Sequence, residues 1–354
     1  MLRLSKNLSV GIVGCGEISV RHVEAWRRAG ARVVALCDRN ASLAESKAKQ
    51  WKVPAFYGDV MDMIAGECIV AASVCTPIRI RSEVVLPLMQ AKTHVVVEKP
   101  FALSSSEAQS MIEASRKYGV KLTVIHNWLF SYAMRKALRL MNHGELGEVL
   151  SAEMHILGTS RNPMNSDPNH WVHSLRGGRF AEMLSHPIYT LQAILGKMEP
   201  KHVLASKLSK YYWLPIDELW ILMEAANGRK GSIHTSINGS RSEATLKVWG
   251  TEADLMVDLH GQILIKSPPL ETEGLRGIAR DKMTFLAGFV GSNLSLASAM
   301  ATGRYETTHT ALIRDFVRCL SENRNPAVTP EEALAVVETH EDLCSRIASI
   351  IGKR

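Results

Sequence analysis

The chain has 354 residues, 46% apolar and 22% charged, a globular composition long enough for two domains that each bury a core. Its net charge of +7 comes from scattered lysines and arginines with no aromatic-interleaved basic stripe, which argues against a nucleic-acid partner. No apolar run approaches about 20 residues, so no membrane span is expected.

The first six residues lead almost directly into an apolar run, which reads as leaving no room for a secretion signal. That run, Ser9-Val10-Gly11-Ile12-Val13, is followed by Gly14-Cys15-Gly16-Glu17-Ile18-Ser19, an amphipathic stretch, a second apolar run over 32–37 and then Asp38. Strand, glycine turn, helix, strand and acid in that order make a dinucleotide-binding βαβ unit. Gly14 permits the tight turn. Gly16 lets the backbone approach a pyrophosphate on the helix N-terminus, where unpaired N–H groups favour an anion. Glu17 and Ile18 enter the same helix and join the cofactor set. Ser19 occupies the third small position. Asp38 can accept both adenine-side ribose hydroxyls and would repel a 2′-phosphate, favouring NAD over NADP. Arg39 next to it can stack on adenine or meet a phosphate, which keeps NADP open.

Further short apolar runs over 53–57, 69–75, 94–97 and 120–125 alternate with helical stretches near 41–51, 81–90 and 105–118. This alternation predicts a doubly wound parallel sheet, the Rossmann arrangement, for residues 1–126. Ser104 followed by Glu107 reads as a capped helix start. From 149 the pattern changes to successive strands over 149–157, 202–208, 219–226, 231–237, 244–249, 253–259 and 263–266, with Asn227-Gly228 as a hairpin turn. Residues 127–354 are therefore expected to form an α+β domain with a large, mostly antiparallel open sheet. Helical periodicity returns over 281–302 and 310–351. One face of that sheet needs cover. If it carries Leu222, Ile233 and Trp249, a partner subunit is the expected cover, giving a homodimer or homotetramer. The six cysteines show no CxxC spacing and read as buried, reduced thiols of a cytoplasmic protein.

Chemistry-bearing residues cluster at strand ends: Thr76-Pro77, Glu98-Lys99-Pro100 and His126-Asn127, where ligands bind parallel sheets. A further cluster, Gly177-Gly178-Arg179-Phe180-Ala181-Glu182 through His186-Pro187-Ile188-Tyr189, lies in the second domain. Removing hydride from a secondary alcohol needs a base, a role that suits His186. Glu182, His186 and Tyr189 are spaced to share a helix face, and Pro187 implies a kink or a helix start near Ser185. Lys99 can polarise the substrate oxygen. His170, Trp171, His173, Arg179 and Tyr189 read as substrate-contacting. His170 and His173 have metal-pair spacing, but no further ligands at a characteristic spacing accompany them, so no metal is expected.

These clusters, in this order, resemble the Gfo/Idh/MocA family of nicotinamide-dependent oxidoreductases, with Glu98-Lys99-Pro100 the most specific piece. The resemblance runs to the tail, Ile313-Arg314-Asp315-Phe316 through Asn325-Pro326 to Ala333. It implies a Rossmann domain binding the cofactor through Gly14, Gly16, Thr76, Pro77, Glu98, Lys99 and Asn127. It also implies an open-sheet domain used for oligomerisation, and oxidation of a sugar, nucleotide-sugar or cyclitol secondary alcohol. Lys99, His186 and Glu182 would be catalytic. The family also contains NAD-dependent glycosidases, and a non-catalytic nucleotide sensor on the same fold is a further alternative. The chain departs from the family at Glu182, usually aspartate, at Tyr189, often an acid, and at Arg81, often histidine. After Asn127 the usual arginine and proline are Leu129 and Tyr132.

Overall fold

The computed structural model describes residues 8–159, 161–209, 211–269 and 274–352. The chain divides into two compact units. The first runs to Asn127 and takes up Thr307–Glu338. The second spans Trp128–Glu306 and continues from Thr339. Residues 307–338, which the sequence reading put with the second domain, thus belong with the first.

The first unit alternates β1 (Ser9–Val13), α1 (Ser19–Arg28), β2 (Arg32–Cys37), α2 (Ala41–Trp51), β3 (Ala55–Tyr57), α3 (Val60–Gly66), β4 (Ala71–Val74), α4 (Arg81–Gln90), β5 (His94–Val97), α5 (Ser105–Tyr118) and β6 (Leu122–Val124). All six strands run parallel in the order β3-β2-β1-β4-β5-β6. Their near-continuous Val, Ile and Ala runs are buried on both faces, as a sheet covered by helices requires. Helix starts follow the local chemistry. Asn40, Asp59 and Ser104 accept backbone N–H groups of Leu43, Met61 and Glu107, and Glu107 reaches back to the N–H of Leu103.

The late segment joins this unit for apolar reasons. Helix Thr308–Glu322 presents Phe316 edge-on to Trp26 of α1, at 6.2 Å between ring centres. Ala333 and Val337 enter the core beside Val95 and Ile112. Thr123 also donates to the carbonyl of Val328.

The second unit contains α6 (Tyr132–Asn142), β7 (Val149–Thr159), α7 (Pro163–Ser166), α8 (Arg179–Met183), α9 (Ser185–Leu195), β8 (Met198–Ser206), β9 (Glu218–Ala225), β10 (Lys230–Gly239), β11 (Glu243–Gly250), β12 (Asp254–Asp258), β13 (Ile263–Ser267) and α10 (Leu275–Ala301). The seven strands order as β13-β12-β11-β7-β10-β9-β8, antiparallel except for β7 beside β10. Met154, Ile221, Ile233 and Leu246 face one buried side, on which α9 packs. The other side carries a row of cross-strand neighbours: Thr245, His155, His234, Trp220 and Leu204. Trp220 stacks on His234 at 3.9 Å, and Glu153 and Glu218 bond the two histidines.

Three expectations need correction. Ile233 lies on the covered face, because its register partners are Ile221 and Met154, whereas Leu222 points the opposite way. The open face carries Leu204, Trp220 and Leu222, 69%, 47% and 53% exposed, and Trp249, partly buried, which shares that side with Thr245 and Lys247. The cysteines are all free, but Cys68 is exposed and Cys75 partly so. Finally, α10 is long and apolar enough by length and composition to cross a membrane, and little of it is buried.

Candidate functional site

The glycine turn is built for an anion. Gly14 has φ +94°, and a Cβ there would come within 2.8 Å of the Cys75 and Thr76 backbone, so no other residue fits. Gly16 differs. A Cβ at that position would meet nothing within 4 Å, so neither packing nor a positive φ demands glycine there, and the space beside it suits the close approach of a phosphate. Ile18 offers no side-chain cap to α1; the N–H groups of Ser19 and Arg21 close tight turns on the carbonyls of Gly16 and Ile18. Asp38, at the end of β2, accepts the N–H of Cys15 through Oδ2 and that of Asn40 through Oδ1, at 2.8 and 2.9 Å. Its carboxylate is thereby held at the turn with lone pairs left for ribose hydroxyls. Arg39 is exposed. The hydroxyl of Thr76 is buried with no hydrogen-bond partner among the described residues, next to the turn Gly14 makes. An orphaned hydroxyl, an unopposed glycine and an oriented carboxylate fit a bound dinucleotide.

Behind the Thr76-Pro77 and Glu98-Lys99-Pro100 loops lies a network that sequence reasoning missed. Trp26 donates through Nε1 to Ser73 Oγ at 2.7 Å, and Ser73 meets His22 Nδ1 at 2.9 Å. His22 Nε2 bonds Glu98 Oε1 at 2.9 Å, and His309 Nε2 lies 3.4 Å from the same oxygen. Glu98 Oε2 accepts the N–H of Lys99. Since Ser73 Oγ already accepts from Trp26, its hydroxyl hydrogen is available to His22 Nδ1, which puts the imidazole proton on Nε2, aimed at Glu98. His22, Glu98 and His309 are the one group of three metal-type donors among the described residues. With that tautomer they form a hydrogen-bonded relay rather than an open ligand set. Burial pushes the His22 pKa down, keeping the ring neutral. Burial alone would raise the pKa of Glu98, but its histidine bonds hold the carboxyl well below the usual range.

Arg81 ties the two loops together. Its guanidinium donates to the carbonyls of Thr76 (2.7 Å), Glu98 (2.6 Å) and Pro100. Burial lowers its pKa to about 10, which leaves it charged at neutral pH beside the Glu98 anion. A sequence signal existed for both sets. His22 sits in the buried α1 stripe Ser19-His22-Val23-Trp26, and Ser73 interrupts an apolar strand. Both are polar residues where only satisfied ones survive. Asn127 reaches Thr308 at 3.4 Å. Buried His126 is neutral, its pKa lowered to about 3.

In the second unit Glu182 lies on one helical segment and His186 and Tyr189 on the next, joined at Leu184, which keeps α-helical angles (φ −63°, ψ −24°). The helix ends at Met183 and restarts at Ser185, which places Pro187 in a first turn, where proline is tolerated. Glu182 pairs with Arg179 at 2.6 Å, and Arg179 also binds Asn165 at 2.7 Å. Arg179, expected at the substrate, is 8% exposed and already neutralised. His186 and Tyr189 do meet: Nδ1 lies 2.8 Å from the phenol oxygen, which accepts the N–H of Trp128 at 3.1 Å. The Trp128 indole stacks on His186 at 4.3 Å and 14°. Half-exposed His186 is thus clamped on one face and one edge. His170 caps the short turn Trp171–Ser174, and His173 bonds the carbonyl of Asp167 through Nε2, so both rings serve loop structure. Trp171 is 49% exposed.

Residues 8–126 match the model of the oxidoreductase family with NAD-binding Rossmann fold, and residues 134–256 match the GFO/IDH/MocA C-terminal domain. The chain is 29% identical over 195 residues to the uncharacterized oxidoreductase YrbE of Bacillus subtilis, spanning 54% of this chain and 55% of that one. It is 22% identical to the levoglucosan dehydrogenase of Pseudarthrobacter phenanthrenivorans over 90% of both. It is 27% identical to the myo-inositol 2-dehydrogenase of Thermotoga maritima over 65% of this chain and 64% of that one. Among solved structures, the WlbA dehydrogenase of Bordetella pertussis, in complex with NADH and UDP-GlcNAcA, superposes with a TM-score of 0.77 at 21% identity over 96% of each chain. The chain belongs to the Gfo/Idh/MocA family of NAD-binding Rossmann-fold oxidoreductases.

Proposed function

We propose that the protein transfers a hydride between a nicotinamide cofactor and a secondary alcohol of a sugar, nucleotide sugar or cyclitol. The observation that carries this reading is the clamp on His186. His186 Nδ1 is engaged by Tyr189 Oη, which holds the ring in place for proton exchange between the imidazole and a substrate hydroxyl, the step a general base supplies. Lys99 polarises the hydroxyl oxygen and stabilises the alkoxide. Glu182 positions Arg179 and the start of the His186 segment. The bound nicotinamide supplies the hydride acceptor. Relatives named as inositol, apiose and glucoside dehydrogenases support the substrate class. A panel of such compounds, assayed for formation of reduced nicotinamide, tests it. Glycoside hydrolysis with no net reduction would replace the reading with an NAD-dependent glycosidase. Cofactor binding with neither activity would leave a nucleotide sensor.

NAD is the preferred cofactor because Asp38 would repel a 2′-phosphate. Asp38→Ala is expected to weaken NAD binding by roughly 10–100-fold, the loss of charged hydrogen bonds worth about 1.5–3 kcal/mol, and to leave NADP binding nearly unchanged. Calorimetric titration of both cofactors reads this. Unchanged NAD affinity would remove the ribose assignment.

The open sheet face is the proposed oligomer contact. Leu204→Glu with Leu222→Glu is expected to lower the association constant by at least about tenfold, since each buried leucine is worth about 1.5–3 kcal/mol. Light scattering across a dilution series reads it, and a monomeric parent protein would contradict the contact.

A further inference from the structure

Helix α10 is fixed along one side and bare along the other. Its inner side sits on the edge strand β13. Ser292 Oγ accepts the N–H of Leu264 at 3.0 Å and donates to its carbonyl at 2.6 Å, closing that strand's open edge. A Cβ at Gly288 would press within 3.1 Å of Ile265, and Ser295 bonds Tyr132. On the outer side, from Met283 to Ala301, there is no charged residue. Met283, Leu286, Phe289, Val290, Leu294 and Met300 are 42–66% exposed. With the exposed Ala287, Ala297 and Ala301 between them they form one apolar strip along the outer side, with the chemistry of an interface rather than of a solvated face.

The pattern of that outer side selects the occupant. Met283, Ala287, Val290, Leu294, Ala297 and Ala301 are spaced four, three, four, three, four, a period of 3.5. That is the seam of paired helices. A lipid-facing surface needs apolarity but no such seam, and the serines held on the inner side tie α10 to the sheet. The spacing is also symmetric about position 292. Laid antiparallel on itself, the seam puts Met283 against Ala301, Ala287 against Ala297 and Val290 against Leu294, so large residues meet small ones at the ends and alanines leave room between. A twofold contact requires such self-complementarity.

We propose that α10 pairs antiparallel with α10 of a second copy of this chain, an interface separate from the open sheet face. The test uses the full chain in a Cys68→Ser background. Val290→Cys with Leu294→Cys should give a covalent dimer under mild oxidation on a non-reducing gel, because position 290 of one copy faces 294 of the other. Leu294→Glu alone should halve the assembly mass in light scattering at micromolar concentration while the thermal midpoint of the isolated protomer is kept. The cross-link should survive the Leu204→Glu and Leu222→Glu substitutions, which address the other face. Absence of the cross-link together with an unchanged mass for Leu294→Glu would overturn the pairing. So would a parent protein that shows no self-association and sediments instead with phosphatidylcholine–phosphatidylserine vesicles, which would assign α10 to a membrane surface.

Discussion

Lys99→Ala and His186→Ala are each expected to lower turnover by roughly 10²–10⁴-fold, the usual contribution of a positioned proton-transfer group, and His186→Ala to leave NAD affinity nearly unchanged. The two losses should not multiply. Groups that stabilise one alkoxide act as a unit, so the double variant should fall far short of the product. His186 carries a further expectation from its surroundings. Tyr189→Phe removes the oxygen that meets Nδ1 at 2.8 Å, and the ring then loses the bond that fixes its tautomer. Its effect should appear in turnover and in the pH profile rather than in cofactor affinity. Glu182→Gln should be mild, because the carboxylate serves Arg179 rather than the substrate. Single-turnover hydride transfer separates these cases. Full-rate transfer by His186→Ala would move the base elsewhere, with Tyr189 the next candidate.

The largest stability effect is expected at Glu98. Its carboxylate is buried, takes bonds from His22, His309 and the Lys99 N–H, and compensates the buried Arg81 cation. Glu98→Ala leaves Arg81 uncompensated inside the unit, a cost of about 3–5 kcal/mol. A midpoint shift of roughly 10 °C should follow for a domain of this size. The pH dependence has a definite sign. A carboxyl whose folded pKa is depressed contributes stability above its unfolded value of about 4.3, and that contribution is lost as pH falls through the folded pKa. The gap between wild type and Glu98→Gln should therefore be widest above about pH 5 and shrink under acid. A gap independent of pH would show that shape, not charge, matters there. Denaturant titrations at several pH values measure it.

Much of this was readable because local rules govern it. Helices Ala41–Trp51 and Ser105–Tyr118 begin at the capping side chains of Asn40 and Ser104, and Arg81–Gln90 has the bounds its pattern predicts. Gly14, Gly16 and Asp38 lie close in sequence, so their spacing carries their geometry. The relay from Trp26 through Ser73 and His22 to Glu98 and His309 was not readable, since its members are scattered from α1 to the helix beginning at Thr308. Arg81 drew notice only as a departure from the family pattern, and its three carbonyl partners emerge only when two loops converge. Ile233 was assigned to the wrong face because strand periodicity gives alternation but not which phase is covered; register against Ile221 decides it. The helix start near Ser185 was readable from Pro187, which can donate no N–H to the preceding turn.

The most direct test of the central claim follows the hydrogen itself. A sugar, nucleotide sugar or cyclitol that supports reduction is prepared with deuterium on the carbinol carbon, and the reduced cofactor is examined by mass spectrometry after one turnover. Direct transfer predicts one deuterium in the nicotinamide ring and a slowed chemical step, with no label lost to water. Deuterium released to solvent, or a reduced cofactor free of label, would contradict hydride transfer between this substrate and NAD.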